Sequence, residues 1–203
     1  MRIVIQGGRI IDPAHHIDTV ADLFIADGKI AGLGHSPAGF IPEQIIDAHH
    51  QVVCPGLIDL CARLREPGQE HKATIASETR AAAAGGITTL VCPPDTDPPI
   101  DEPAVMEWIR RRAKAAGQAR VLTLGALTHR LRGERLAEMA ALKEAGCVGV
   151  SDGGQPITNT RVLRRALEYA ATFDLTVFLT PLDPELSHGL AHEGQVATRM
   201  GLP

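Results

Sequence analysis

Side chains able to do chemistry gather, in this sequence, just after short apolar runs. Cys61, Arg63 and Arg65 follow VVCPGLIDL, Asp95 stands in CPPDT after ITTLV, His129 follows VLTLGAL, Asp152 follows CVGVS, and Thr180 closes LTVFLT. Thiolate, imidazole and carboxylate are all metal donors, so Cys61, His129 and Asp152 form one conceivable ligand set. Arg63 is the opposite, because a guanidinium has only donors, no lone pair and a permanent charge that repels a dication. Arg65 offers a planar fork suited to a carboxylate or another anion. Asp95 is an acidic partner for Arg63 or Arg65, and the plainer alternative is that these charges are simply solvated. Asp152 precedes Gly153-Gly154, where an Asp also suits a turn or a helix cap, and that reading stands beside a site role. His15, His16, His49 and His50 fall in or beside loops near the N-terminus, where solvated imidazoles are the simpler reading. His188 and His192 follow the last apolar run, where HEG reads as a loop entering a helix.

The elements that must position these residues change character along the chain. Residues 1–54 read as short strands and turns, RIVIQGG and then DLFIADGKIAGLG with a hairpin signal at Asp27-Gly28, which suggests a small β-sandwich-like unit. Residues 55–203 alternate apolar strands with amphipathic helices. Helices are expected over about His71 to Ala84, Glu102 to Ala116, Glu134 to Ala145 and Thr160 to Phe173. Such alternation implies a parallel sheet covered by helices. The first turn reads LREPGQEHK and not GxGxxG, which favours a (β/α)8 barrel over a dinucleotide-binding sheet. Five strands fit, whereas a full barrel commonly needs about 250 residues. The expectation is therefore the first five β/α units of a TIM-type barrel after a small all-β domain, as a fragment, a split gene product or an assembly that borrows strands.

Of the 203 residues 44% are hydrophobic and 22% charged, enough to bury a core, and the formal net charge of -4 gives no basic field for nucleic acid. No apolar run approaches the roughly 20 residues of a membrane span, and the N-terminus lacks the pattern of a secretory signal. The cytoplasm is the expected location. Cys54, Cys61, Cys92 and Cys147 are widely spaced and mostly within apolar runs, and so are expected to be buried thiols.

The segments PGLIDLCARLREPGQEHK, AAAAGGITTLVCPPDTDPP, LKEAGCVGVSDGGQP and HEGQVATRMGLP closely resemble dihydroorotase, the zinc amidohydrolase that interconverts carbamoyl aspartate and dihydroorotate in pyrimidine synthesis. The resemblance covers nearly the whole chain. It implies a His-x-His pair of metal ligands where this sequence has Cys61 and Arg63, and a further histidine ligand where it has Thr180. Of the ligand positions in this half only the acidic one, Asp152, keeps a matching residue. By the same resemblance Arg65 matches the arginine that grips the substrate carboxylate, and Asp95 stands where the family has an asparagine. The substrate-binding pair Arg65 and Asp95 is thus expected to be vestigial, with no catalytic residue, no bound metal and no cofactor.

Some relatives lacking the His-x-His pair associate with aspartate carbamoyltransferase, and the resemblance implies the same structural role here, in a hetero-oligomer. The alternative is an active dihydroorotase or related cyclic-amide hydrolase with zinc in a rearranged site. A third reading is a broken-off half whose last strand leaves an open edge. For a scaffold, the helix carrying Trp108, the sole tryptophan, is the first candidate anchor, beside the plainer reading that Trp108 packs this helix on the sheet.

Overall fold

The computed structural model describes residues 1–184 and 191–202. The chain divides into two units, Met1–Gly56 and Leu57–Pro203. In the first, β1 (Arg2–Asp12), β2 (Ile17–Ala26), β3 (Lys29–Leu33), β4 (Gln44–Asp47) and β5 (Val52–Val53) form one mixed sheet. This differs from the sandwich-like pair of layers that the sequence suggests. The reason lies in β1, which is long enough to serve every neighbour except β3. It pairs antiparallel with β2, while its first half takes β4 and its second half β5, both parallel. Its register shifts between Ile5 and Gly8, and Gly7 sits there at φ 68, where a Cβ would lie 2.4 Å from the His49 ring. Asp27 and Gly28 join β2 to β3 as a two-residue turn with φ of 51 and 73, both positive as a type I′ hairpin demands.

The second unit runs β6 (Leu57–Asp59), α1 (Ile75–Ala84), β7 (Ile87–Cys92), α2 (Pro103–Ala116), β8 (Arg120–Ala126), α3 (Met139–Glu144), β9 (Gly149–Ser151), α4 (Thr160–Thr172), β10 (Val177–Phe178) and α5 (Gln195–Met200). Its strands are all parallel and lie in the order β6-β7-β8-β9-β10. A doubly wound sheet reverses direction at a switch point. This one does not, and it is the first five strands of a TIM-type barrel. Its edges are β6 and β10, and Leu57, Ile58 and Leu60 at the β6 edge are exposed.

Local chemistry sets the helix ends. Thr74 accepts from the Ser77 amide while the Ser77 hydroxyl accepts from the Thr74 amide, so this capping box starts α1 at Ile75 instead of near His71. Pro103 opens α2, which buries Met106, Ile109 and Ala113 along one stripe. α3 is shorter than its apolar pattern suggests. The Arg135 carbonyl accepts from the His129 amide, the Ala137 amide donates to Leu127, and Leu136 bridges to Thr128, so this stretch pairs with the segment just after β8 and cannot also be helix.

The core of the second unit joins Leu64, Ile75, Ile100, Ile109, Met139 and Leu142, each at most 1% exposed. Cys92 and Cys147 are buried, and burial pushes the Cys92 thiol up to about 12, so it stays protonated at neutral pH. Cys54 and Cys61 are exposed, contrary to the expectation of four buried thiols, because both lie beyond the paired residues of β5 and β6. No described helix is long and apolar enough to cross a membrane.

Ile109→Ala removes a fully buried side chain from the contact between α2 and the sheet. It should cost about 2–5 kcal/mol, read as a lower urea midpoint with an unchanged slope.

Candidate functional site

Parallel strands deliver their C-terminal ends to one edge of the sheet, and the sequence places its polar residues there. Beyond β6 the chain continues as Cys61, Ala62, Arg63, Leu64. The Ala62 amide donates to the Val91 carbonyl and Leu64 enters the core, while the intervening Cys61 and Arg63 are exposed. Arg63 turns to Asp95, beyond β7, and its Nε donates to Oδ2 at 2.6 Å. This hydrogen bond, with the attraction between the charges, pushes the guanidinium further above its already high ordinary value. Of the two arginines weighed as partners for Asp95, Arg63 makes the ion pair.

The same guanidinium lies over the loop after β9. A Cβ built on Gly154 would stand 3.4 Å from its Nη2, and one built on Gly153 would stand 3.5 Å from the Asp95 Cβ and 2.8 Å from Leu131. Both glycines have positive φ, so the loop approaches the ion pair in a conformation that side chains disfavour.

Asp152, between β9 and this glycine pair, is 3% exposed. Its Oδ1 accepts from the Gly154 amide at 3.0 Å and the Thr180 hydroxyl at 2.9 Å, and its Oδ2 accepts from the Thr180 amide at 2.7 Å. Asp152 is therefore a turn residue and also a clamp between the ends of β9 and β10. Three donors already occupy most of the lone pairs that a carboxylate can offer.

Arg65 adopts φ 64, its carbonyl accepts from the Gln69 amide, and its Nη1 donates to Gln69 Oε1 at 3.2 Å. Arg65, Arg63 and Asp95 line a cleft of about 40 Å3, room for only a few water molecules. The neighbouring Glu66 is 2% exposed, and sequence reasoning passes over it. Its carboxylate accepts from the Ile75 amide at 2.7 Å, at the start of α1, and from Arg112 Nε on α2 at 2.9 Å. Only the acidic residue inside LREPG could have signalled it, and its partner lies 46 positions away.

His129 is drawn elsewhere. Its Nδ1 lies 2.7 Å from Asp101 Oδ2, which also accepts from the Arg130 amide. The pair lines a cavity of about 510 Å3 with Glu134, Arg135, Glu138 and Arg165, and neither Cys61 nor Asp152 borders it. The set Cys61, His129 and Asp152 is accordingly not assembled, and among the described residues no three His, Cys, Asp or Glu side chains are placed to hold a metal ion. His15 pairs with Asp12 and His49 with Asp47, His16 and His50 occupy turns, and His192 lies in the loop before α5. His188 lies outside the described residues. A zinc ion does not fit the donors present: Arg63 has no lone pair to offer, the neutral Thr180 hydroxyl is a poor zinc ligand and already donates to Asp152, and Asp152 is itself engaged.

The protein-family model described as dihydro-orotase-like matches residues 50–202. A dihydroorotase-like protein of Pseudomonas aeruginosa is 52% identical over 203 residues, covering 100% of this chain and 48% of that protein. A dihydroorotase of Geobacter sulfurreducens is 45% identical with the same coverage, so the chain spans about half the length of the relatives it matches. Among solved structures, the L-hydantoinase of Arthrobacter aurescens superposes with a TM-score of 0.73 at 21% identity, over 87% of this chain and 40% of that one. A dihydroorotase superposes with a TM-score of 0.60 at 17% identity, over 90% and 52%. These likenesses in structure concern the fold.

Thr180→Val keeps shape but removes the hydroxyl that Asp152 accepts from. The loss of a hydrogen bond to a buried carboxylate should lower stability by ~1.5–3 kcal/mol, measured by urea denaturation near neutral pH.

Proposed function

The chain belongs to the dihydroorotase-like family, and from that premise we propose that it is a non-catalytic member, tied to pyrimidine biosynthesis as a structural partner of aspartate carbamoyltransferase in the cytoplasm. One observation carries the loss of catalysis, the Arg63–Asp95 ion pair at the C-terminal edge of the sheet. In the family this edge presents a metal. Arg63 supplies instead a covalently tethered cation, and Asp95, which would repel a substrate carboxylate, neutralises it. A metal would lower the pKa of bound water towards about 7, and a donor set that does not hold one supplies no such hydroxide at neutral pH to attack a cyclic amide. Arg65 and Asp95 are then remnants of substrate binding, Asp95 serving as a counter-ion.

The structural role is supported by what the chain retains. The strand and helix rhythm, the packed core and the capped helices describe a folded scaffold, and its outer helices are available to a partner. The purified full-length protein should carry well under one zinc per chain and show no turnover of dihydroorotate or carbamoyl aspartate. Stoichiometric zinc with turnover would overturn the reading in favour of an active hydrolase with a rearranged site. Combining Cys61→His, Arg63→His and Thr180→His should raise zinc affinity, and unchanged binding by equilibrium dialysis would mean that these positions do not face a common site. Mixed with the aspartate carbamoyltransferase of the same organism, the protein should co-elute as a hetero-oligomer, whereas independent elution at micromolar concentration would sink the scaffold role.

A further inference from the structure

The cavity of about 510 Å3 beside His129 is built differently from the strand edge, where polar groups satisfy one another. Its volume falls within the range of about 300–1,000 Å3 typical of small-molecule sites. Asp101, with a side chain only 8% exposed, forms its buried side: Oδ2 lies 2.7 Å from His129 Nδ1 and accepts from the Arg130 amide at 2.8 Å. A carboxylate so close to Nδ1 favours a proton there, and a neutral imidazole with that proton carries its lone pair on Nε2. Nε2 has no partner among the described residues. The backbone holds the ring in place, since the Gly133 amide donates to the Thr128 hydroxyl and the His129 amide to the Arg135 carbonyl, closing a loop in which Arg130 and Leu131 adopt φ 53 and 58. Two successive non-glycine residues in the left-handed region persist only where contacts impose it.

The rim carries charge of both signs. Glu102, Glu134 and Glu138 stand with Arg135 and Arg165, all of them exposed. None of these five side chains makes an ion pair or a hydrogen bond with a described residue, although they line one cavity. Elsewhere on the surface Arg9, Arg110, Arg111 and Arg164 each pair with a carboxylate. With Asp101, four carboxylates stand against two guanidiniums, a balance that disfavours a simple anion. The lone pair on Nε2 and the carboxylates call for a cationic N–H donor, while the guanidinium forks suit a carboxylate. Leu136, Ala137 and Val162 supply an apolar wall for a short hydrocarbon.

We propose that this cavity binds a small aliphatic α-amino acid. Its ammonium is held by His129 Nε2 and the rim carboxylates, its carboxylate by Arg135 and Arg165, and its side chain by Leu136 and Val162. Asp101 is a positioning residue, acting through the imidazole that it orients. The site is separate from the Arg63–Asp95 edge, because neither Arg63 nor Asp95 borders it, and it depends neither on the loss of catalysis nor on the scaffold role.

Titration calorimetry of the full-length protein with leucine, with isoamylamine, which lacks the carboxylate, and with isocaproate, which lacks the ammonium, tests the site. Leucine should bind at one per chain, and each of the other two at least about tenfold more weakly. His129→Ala should weaken leucine and isoamylamine alike by about tenfold. Arg165→Gln, at an exposed side chain without contacts, keeps the test open should His129→Ala fold poorly. It should weaken leucine by about fivefold and leave isoamylamine unchanged. Arg164→Gln, on the same helix but outside the lining, should change neither. No binding of leucine by the parent at about 10 mM overturns the proposal, as does leucine binding that His129→Ala and Arg165→Gln leave intact. Equal affinity for leucine and isoamylamine would make this a general amine site and overturn the assignment to an amino acid.

Discussion

A parallel strand cannot be followed directly by its neighbour, because the chain must first return to the edge where the strand began. Each of β6 to β9 is therefore followed by a crossover, and every strand stops at the same edge of the sheet. This geometric requirement brings together residues far apart in sequence. Arg63 after β6, Asp95 after β7, Asp152 after β9 and Thr180 after β10 come close because each stands at the same point of its repeat. The helices that make the crossovers then cover the sheet and supply eight of the nineteen buried residues of the core.

At the shared edge, polar groups satisfy one another. Arg63 and Asp95 cancel in charge across neighbouring strands, Thr180 supplies two donors to Asp152, and the Gly154 amide supplies a third. Among the described residues no buried side-chain nitrogen or oxygen lacks a partner. A site prepared for a ligand commonly keeps some donors or acceptors facing the space that the ligand will fill. Here the demands of Asp152 are met from within.

Much of this was legible in the sequence. Apolar runs of strand length alternating with helical stripes gave the five β/α units, and Asp27-Gly28 marked its hairpin. What escaped depended on backbone groups with a choice of partner. The apolar pattern from Glu134 suits a helix, but Arg135 to Ala137 bond to the segment just after β8, and no propensity records that competition. The single-sheet form of the first unit escaped for a similar reason, since nothing in β1 states how many neighbours it accepts. At the site, Arg63 and Asp95 could be placed at strand ends, yet the choice between Arg63 and Arg65 turned on the left-handed backbone of Arg65, which sends its side chain to Gln69. Glu66 and Arg112 were invisible because a contact across 46 residues leaves no periodic trace.

The clamp between Asp152 and Thr180 also bears on what it would cost to place metal ligands at this edge. A histidine at position 63 alone would strip Asp95 of its counter-ion, and a histidine at position 180 alone would take a hydroxyl from a carboxylate that is 3% exposed. Each change sacrifices an existing partner before enough ligands are present to hold an ion. A metal site at this edge could thus be built only through less stable intermediates, and Arg63 and Asp95, as partners, each make replacement of the other costlier.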